Sequence, residues 1–401
     1  MLRAIPPSPL GNYPYSDFAV AKMSKNRSNS KNSRKKRLRT GFTTGAAAAA
    51  ATRAALQVLG GEELPSTVPI RLLTDKWIDI PVHECITGID EKNREYVSCT
   101  VTKDAGDDPD VTNRAKIGAK VRFLEGSDEI VITGGKGVGT ITRPGLELPP
   151  GDPAINPGPR KMIREAADAV RKQRGIQKGL HVEVFVPRGE EIARRTLNAR
   201  LGIVGGISIL GTTGVVTPMS HEAYIATIES GISVAAACGI ETVVVTTGRR
   251  SERHAQRVLP TMPEAAFVQI GDFFGRSMEI AVEMGIKQVV LAVFFGKAVK
   301  MACGEYHTHA ATAGLSLQNL AERVAGVCND AALVRSVGSA NTAREAFFMI
   351  QAACPEMFDT ITAQIVENAR RFSKNRTAVR VILFDFDGNV LSDIRSDKGE
   401  T

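Results

Sequence analysis

The chain has 401 residues, 43% of them apolar and 5% aromatic, and a formal net charge of +8. That length and apolar content suit two α/β domains with sizeable cores, and no apolar run is long and clean enough to span a bilayer. The charge is uneven: residues 1–39 hold ten Lys or Arg and one acid, Asp17, whereas the remainder balances 41 basic against 42 acidic residues.

Residues 1–38, crowded with Ser, Asn and Lys from Ser24 to Arg37, read as a disordered basic extension. No charged start followed by an apolar stretch and a small-residue cleavage site is visible, so a secretory signal is not expected. The six cysteines, Cys85, Cys99, Cys238, Cys303, Cys328 and Cys354, are scattered without a CxxC pair. They read as reduced, mostly buried thiols of a cytoplasmic protein.

Order is expected to begin near Arg39. RTGFTTGAAAAAATRAALQVLGG predicts a glycine-bearing turn and a helix of about four turns ending at Gly60 and Gly61, with Thr43 or Thr44 as N-cap. From Thr67 to Val131 alternating apolar residues predict strands. GGKGVG (134–139) is a glycine-rich loop, and a proline-rich connection leads to a helix with Pro159 in its first turn. The strand HVEVFVP, ending at Pro187, completes an N-terminal α+β domain over residues 39–195.

From about Thr196 strands and helices alternate. GISIL, ETVVVTT, AAFVQIG and KQVVLAVFF are each followed by a helical pattern, the first opening near Pro218. Four such units predict a Rossmann-like parallel-sheet domain over residues 196–375. Residues 376–401 form a closing segment in which VILFDFDGNVL reads as a hairpin about an Asp-Gly turn. Ligands of open parallel sheets lie beyond the carboxyl ends of the strands. The predicted ends are Gly211-Thr212-Thr213-Gly214, Thr246-Thr247-Gly248-Arg249, Gly271-Asp272-Phe273-Phe274-Gly275 and Phe295-Gly296-Lys297. All four carry glycine with polar or charged residues, which marks either a ligand edge or ordinary turns.

Five stretches carry a resemblance: RTGFTTGAAAAAA (39–51), VTKDAGDDPDVT (101–112), ITGGKGVGTITRPGLELPPGDPAINPGPRKMI (132–163), VPRGEEIARRTLNARLGIVGGISILGTTGVVTPMS (186–220) and GKAVKMACGEYHTH (296–309). In these the chain resembles the cobalt-precorrin-5B C(1)-methyltransferases of the anaerobic cobalamin pathway. It departs from that pattern with alanines in the helix after Thr43-Thr44-Gly45, where the family often has a cysteine. It departs again at Ala310–Gly314, where the family tends towards Ser-Arg and a later Asp.

The resemblance implies S-adenosylmethionine as methyl donor, a cobalt corrinoid as substrate, and other enzymes of the cobalamin pathway as possible partners. Gly211, Thr212, Thr213 and Gly214 are then candidates for the donor, with Thr247 on the same edge and Asp272 for its hydroxyls. Asp272 could equally cap the helix after it. The substrate's carboxylates call for cations and N–H groups, for which Arg39, Thr43, Thr44, Arg160, Lys297 and Lys300 are candidates. In the acidic turn Lys103–Asp110, Asp104 is the candidate proton acceptor, although the turn could hold a cation or be capped and paired with Lys103 and Arg114. His309, the second catalytic candidate, is assigned a hydrogen-bonding role rather than a metal, because His307-x-His309 lacks a third nearby ligand.

Two alternatives belong to other classes. One is a nucleic-acid-associated protein using the basic extension. The other is a phosphatase using Asp385 of the DFDGN segment, whose chemistry needs a whole domain after the motif where only ten residues remain beyond Leu391.

Overall fold

In the computed structural model, residues 38–309 and 313–396 are described, without the side chains of 313–316. The proposed disordered extension, except Leu38, and residues 310–312 and 397–401 lie outside them. The chain divides into two compact units at Ser220/His221.

The first unit centres on helix α1 (Thr44–Leu59), which follows the short strand β1 (Gly41–Phe42). Thr43 is its N-cap, its hydroxyl accepting from the Ala46 N–H. Ala46 to Ala51, Ala54, Ala55 and Leu56 are fully buried, as expected of a helix that is apolar all round. A buried methyl is worth only about 0.8 kcal/mol, so these alanines act chiefly by letting neighbours come close. One neighbour is helix α2 (Pro157–Arg174), where Pro159 and Met162 press against Gly45. Others are the strands Glu95–Thr102 and Lys116–Leu124 of a five-stranded sheet.

After the hairpin β2 (Thr67–Arg71) and β3 (Trp77–Pro81) come β4 (Glu84–Ile89), β5 (Glu95–Thr102), β6 (Lys116–Leu124) and β7 (Ile130–Gly134). With β10 (Gly179–Phe185) they form a sheet of order β4-β5-β6-β10-β7, antiparallel except for β10 beside β7. Cys85 and Cys99 stand directly opposite on β4 and β5 and are joined as a disulfide. This corrects the expectation of six reduced thiols; spacing without strand register does not place two residues face to face. The other four cysteines are free.

The segment GISIL is not the opening strand of a parallel sheet. Within it Gly206–Ile207 (β12) pairs with Gly137–Val138 (β8) and Ile209 makes a lone bridge to Ile155, while β9 (Thr140–Ile141) pairs with β11 (Ile203–Val204). A Cβ on Gly206 would lie 2.1 Å from the Gly137 carbonyl, so glycine contact binds this segment to the first unit. The unit boundary therefore falls at residue 220 rather than 195.

The second unit opens with α4 (His221–Ala237) after α3 (Gly189–Ala193) and β13 (Val215–Val216) have closed the first. Its strands are β14 (Thr242–Thr246), β15 (Phe267–Gln269), β16 (Gln288–Phe294), β17 (Ala378–Phe384) and β18 (Val390–Arg395). They lie in the order β15-β14-β16-β17-β18, all parallel except the last. Val243, Val245, Leu291 and Val381 face one apolar cluster and Val244, Val290, Ala292 and Ile382 another, the pattern of a sheet covered on both faces. Helix α5 (Arg249–Val258) lies on the second face. The first is covered by α4, α6 (Phe274–Glu283), α7 (Phe295–Ala302) and parts of α8 (Ala313–Val327), α9 (Ala331–Ser339), α10 (Ala343–Ala353) and α11 (Met357–Phe372).

The closing hairpin is β17–β18, with β17 an inner strand of this sheet. Asp385 Oδ1 accepts the N–H groups of Asp387, Gly388 and Asn389, so the carboxylate caps a turn rather than standing free as a phosphatase nucleophile.

Candidate functional site

The connection from β14 runs out to β15 on one side, and the chain returns to place β16 on the other. Such a reversal opens a crevice beyond the carboxyl ends of the strands. Three of the four predicted loops lie on this edge; the Gly211–Gly214 turn belongs to the first unit.

Lys297, in the first turn of α7, ties the edge together. Its Nζ donates to the carbonyl of Gly271 (2.9 Å) and approaches that of Thr247 (3.4 Å) and Asp272 Oδ1 (3.1 Å). Asp272 Oδ1 also accepts from the Thr308 hydroxyl (3.2 Å), and no hydrogen bond reaches Oδ2 among the described residues. Burial alone would raise the Asp272 pKa, but the charge and hydrogen bond of Lys297, with Thr308, hold it below the ordinary carboxylate range. Asp272 is not the helix cap: Phe273 occupies that position. Lys300 is buried and gives its ammonium to the carbonyls of Thr308 (3.3 Å) and His309 (2.7 Å). Each lysine bonds to backbone oxygens that adjoining loops bring to it, and Lys297 also to the Asp272 carboxylate.

Four rings gather beside this network. Phe273 lies 4.8 Å from His307, 5.4 Å from His221 and 5.3 Å from Tyr224 between centroids, and His307 stacks on His221 at 5.4 Å. The exposed His309 is 6.2 Å from His307. Burial, reinforced by the charges of Asp272 and Glu252, pushes the Tyr224 hydroxyl up to about 12. His221, Tyr224, Phe273 and His307 are absent from the sequence-derived candidates. The runs Asp272-Phe273-Phe274 and Tyr306-His307-Thr308-His309 hint at them only once they are brought side by side.

In the first unit the two Thr-Thr-Gly turns meet. Thr44 Oγ1 accepts from the Leu210 N–H (2.9 Å), the Thr43 N–H donates to the Gly214 carbonyl (3.0 Å), and β1 pairs with β13. A Cβ on Gly211 would lie 2.5 Å from the Thr43 hydroxyl, at a backbone φ of +139°. Thr43 and Thr44 thus secure a junction between segments. Thr212 and Thr213 are exposed, with Thr213 closing a local turn on Val215.

Arg39 forms a two-pronged pair with Asp104, and its backbone N–H donates to Asp107 (2.7 Å). The Arg39 hydrogen bond leads the effects that hold the Asp104 pKa down, which makes it a weak proton acceptor. The buried Lys103 pairs with Asp110 at 2.6 Å, and Asp108 accepts the Met219 N–H (3.1 Å). The acidic turn is therefore a capped, paired turn, with Arg39 in the place expected for Arg114. Arg160 donates to the carbonyls of Ile155 (2.7 Å) and Ile132 (3.5 Å) as a strut. Asp104 and His309, the two catalytic candidates, lie in different units. No group of three or more metal-capable side chains occurs among the described residues.

Two family models match the chain: one described as CbiD over residues 31–218, and one described as CbiD, C-terminal domain, over 307–394. A cobalt-precorrin-5B C(1)-methyltransferase of Geobacillus sp. (strain WCH70) is 42% identical over 368 residues, 91% of this chain and 99% of that protein. One from Geobacter sulfurreducens is 42% identical, covering 88% of this chain and 98% of its own length. One from Priestia megaterium is 45% identical over 77% of this chain and 83% of its own. Among solved structures, a cobalamin biosynthesis protein (cbiD) from Archaeoglobus fulgidus is 27% identical, covering 65% of this chain and 78% of that one, with a TM-score of 0.36.

Proposed function

Because the chain belongs to the CbiD family, we propose that it transfers the methyl group of S-adenosylmethionine to C1 of cobalt-precorrin-5B, giving cobalt-precorrin-6A in the anaerobic cobalamin pathway. The observation that carries this reading is the match along nearly the whole chain, 42% identity over 99% of a relative bearing that activity in its name. The sulfonium supplies a methyl group already activated for transfer, so the protein's task is alignment and exclusion of water.

We assign the second unit to the Rossmann-like class and place the donor at its carboxyl edge. Asp272 is held ionised there with one oxygen left over, a group suited to ribose hydroxyls. Thr247 flanks the edge, and Lys297 fixes the three loops around it. The orphaned, buried Nε2 of His307 beside Asp272 is an observation of this structure that suits an entering polar ligand. The Gly211–Gly214 turn, with its exposed Thr212, is the alternative seat for the donor.

For the substrate's carboxylates, Arg39 is the leading contact, since its side chain stays 60% exposed even when paired with Asp104. His309, also exposed, remains a proposed hydrogen-bonding group. No helix of the described residues is long and apolar enough to cross a membrane; we propose the cytoplasm, where the four free thiols would persist, while the Cys85–Cys99 disulfide runs against that compartment. Anaerobic incubation with methyl-labelled S-adenosylmethionine and cobalt-precorrin-5B tests the function. One label at C1 of the tetrapyrrole is expected; folded protein that transfers none would sink the reading.

A further inference from the structure

The segment Tyr306–His309 runs along the start of α6. The Gly275 N–H donates to the Tyr306 carbonyl and the Thr308 N–H to the Asp272 carbonyl, both at 2.9 Å. Residue 275 must be glycine for this approach, because a Cβ would lie 2.0 Å from the Tyr306 ring. The pairing fixes His307 beside Asp272, its ring edge-on to Phe273 and stacked on His221. Yet its Nε2 is buried and has no hydrogen-bond partner among the described residues. Buried polar atoms in folded proteins nearly always have one, so an orphan next to a binding edge asks for a cause.

The chemistry of the corner narrows the ligand. Burial lowers the His307 pKa; His221, His309 and Lys297 act in the same direction, and Asp272 opposes them. The ring is therefore neutral at neutral pH, a hydrogen-bonding group and not a cation. Asp272 beside it is an ionised carboxylate. The Asp272 carboxylate disfavours the acetates and propionates of a tetrapyrrole, and with a neutral imidazole beside it the corner suits a neutral group rich in hydroxyls and amines with a flat ring.

We infer that His307 is a contact residue for the nucleoside half of the methyl donor, its Nε2 meeting a hydroxyl or amino group while His221 and Phe273 offer their rings. This rests on placing the donor at the carboxyl edge of the second unit. His307 then works with Asp272: the carboxylate accepts from hydroxyls, and the imidazole reads a second polar group. An incoming ligand must part the rings to reach the shielded nitrogen, and binding would then satisfy an atom that has no partner without it.

The test uses the full chain and S-adenosylhomocysteine as probe, with affinity measured by titration calorimetry. His307→Phe, which keeps the ring packing, is expected to bind at least fivefold more weakly, and His307→Gln to recover part of the loss. In ¹⁵N-histidine spectra, the Nε2 resonance missing from His307→Phe should shift in the wild type when the probe is added. Unchanged affinity in His307→Phe, or no shift of that resonance, overturns the inference. Asp272→Asn separates the two levels: weakened binding there with unchanged binding in His307→Phe removes only His307. Unchanged binding in both, or a folded wild type that does not bind the probe, removes the placement of the donor as well.

Discussion

At the Gly211–Gly214 turn the polar groups are spent on one another. Thr43 and Thr44 satisfy the backbone of α1 and Leu210, Thr213 bonds to Val215, and Gly211 gives Thr43 room. At the carboxyl edge of the second unit, Lys297 satisfies the loop carbonyls but leaves Asp272 Oδ2 and His307 Nε2 unmet. Both regions are glycine-bearing turns with threonines. What separates the joint from the proposed binding edge is the account of donors and acceptors left over among the described residues.

The largest expected effect tests the self-sufficient side. Lys103→Met strips the partner from Asp110 around a lysine that is 2% exposed. Breaking such a buried pair costs about 3–5 kcal/mol, and urea denaturation of the first unit's transition should show a loss of that size. A loss under about 1 kcal/mol would mean that water reaches Asp110 and that this turn is less closed than its geometry implies. The same substitution is expected to leave the affinity of whatever remains folded for S-adenosylhomocysteine unchanged.

Next comes the edge. Lys297→Met removes the donor that joins the Thr247 loop to the Gly271–Asp272 loop, and affinity for S-adenosylhomocysteine should fall about 100-fold, the size of effect that misplacing a binding constellation produces. Asp272→Asn keeps the shape and loses the charge, for an expected loss of about tenfold, near the strength of one charge-assisted hydrogen bond. If Lys297→Met binds as well as the wild type, the loops are held without it and the contrast between joint and edge fails.

Acid separates the two regions by pH window. Asp104 and Asp110 have folded pKa values below ordinary, so their stabilisation is present above the unfolded value of about 3.9 and is lost as pH falls through the folded value. Burial lowers the pKa of His307, so below about 6.5 the unfolded chain binds a proton that the folded chain resists. Stability is therefore greatest above that value and declines as pH falls towards the folded one. His181 and His254 shift the same way, so the diagnostic is a difference: His307→Phe should lose less of its urea midpoint between pH 7.5 and 5.5 than the wild type. Equal slopes would place His307 in a wetter setting than its contacts indicate.

Much of this contrast was readable only in part from residues. The alanine run with Thr43 before it announces a buried, capped helix, because cap and composition are local. The apolar strands of the second unit announce a parallel sheet, and Asp385 with Gly388 announces a hairpin. GISIL misleads, since its apolar pattern is that of a buried strand, while Gly206 packed on Gly137 makes it a two-residue joint in the other unit. Cys85 facing Cys99 depends on register, and the ring cluster of His221, Phe273 and His307 on three segments meeting. Lys297 stands out in the sequence for its charge, yet its contacts are with the carbonyls around it, which no spacing along the chain reveals.

The smallest expected effect is the most discriminating. Thr212→Val with Thr213→Val alters the most ligand-like motif in the sequence, Gly-Thr-Thr-Gly. Thr213 loses two exposed hydrogen bonds to Val215, together worth about 1–2 kcal/mol, and Thr212, already exposed, loses nothing that the structure uses. Affinity for S-adenosylhomocysteine should stay within about twofold of the wild type, with a stability loss near the size of those two bonds. A loss of tenfold or more would move the donor to this turn and make Asp272 a structural acid. Both outcomes come from one pair of titrations, because Asp272→Asn and the threonine variant cannot each retain full affinity if the donor sits at either place.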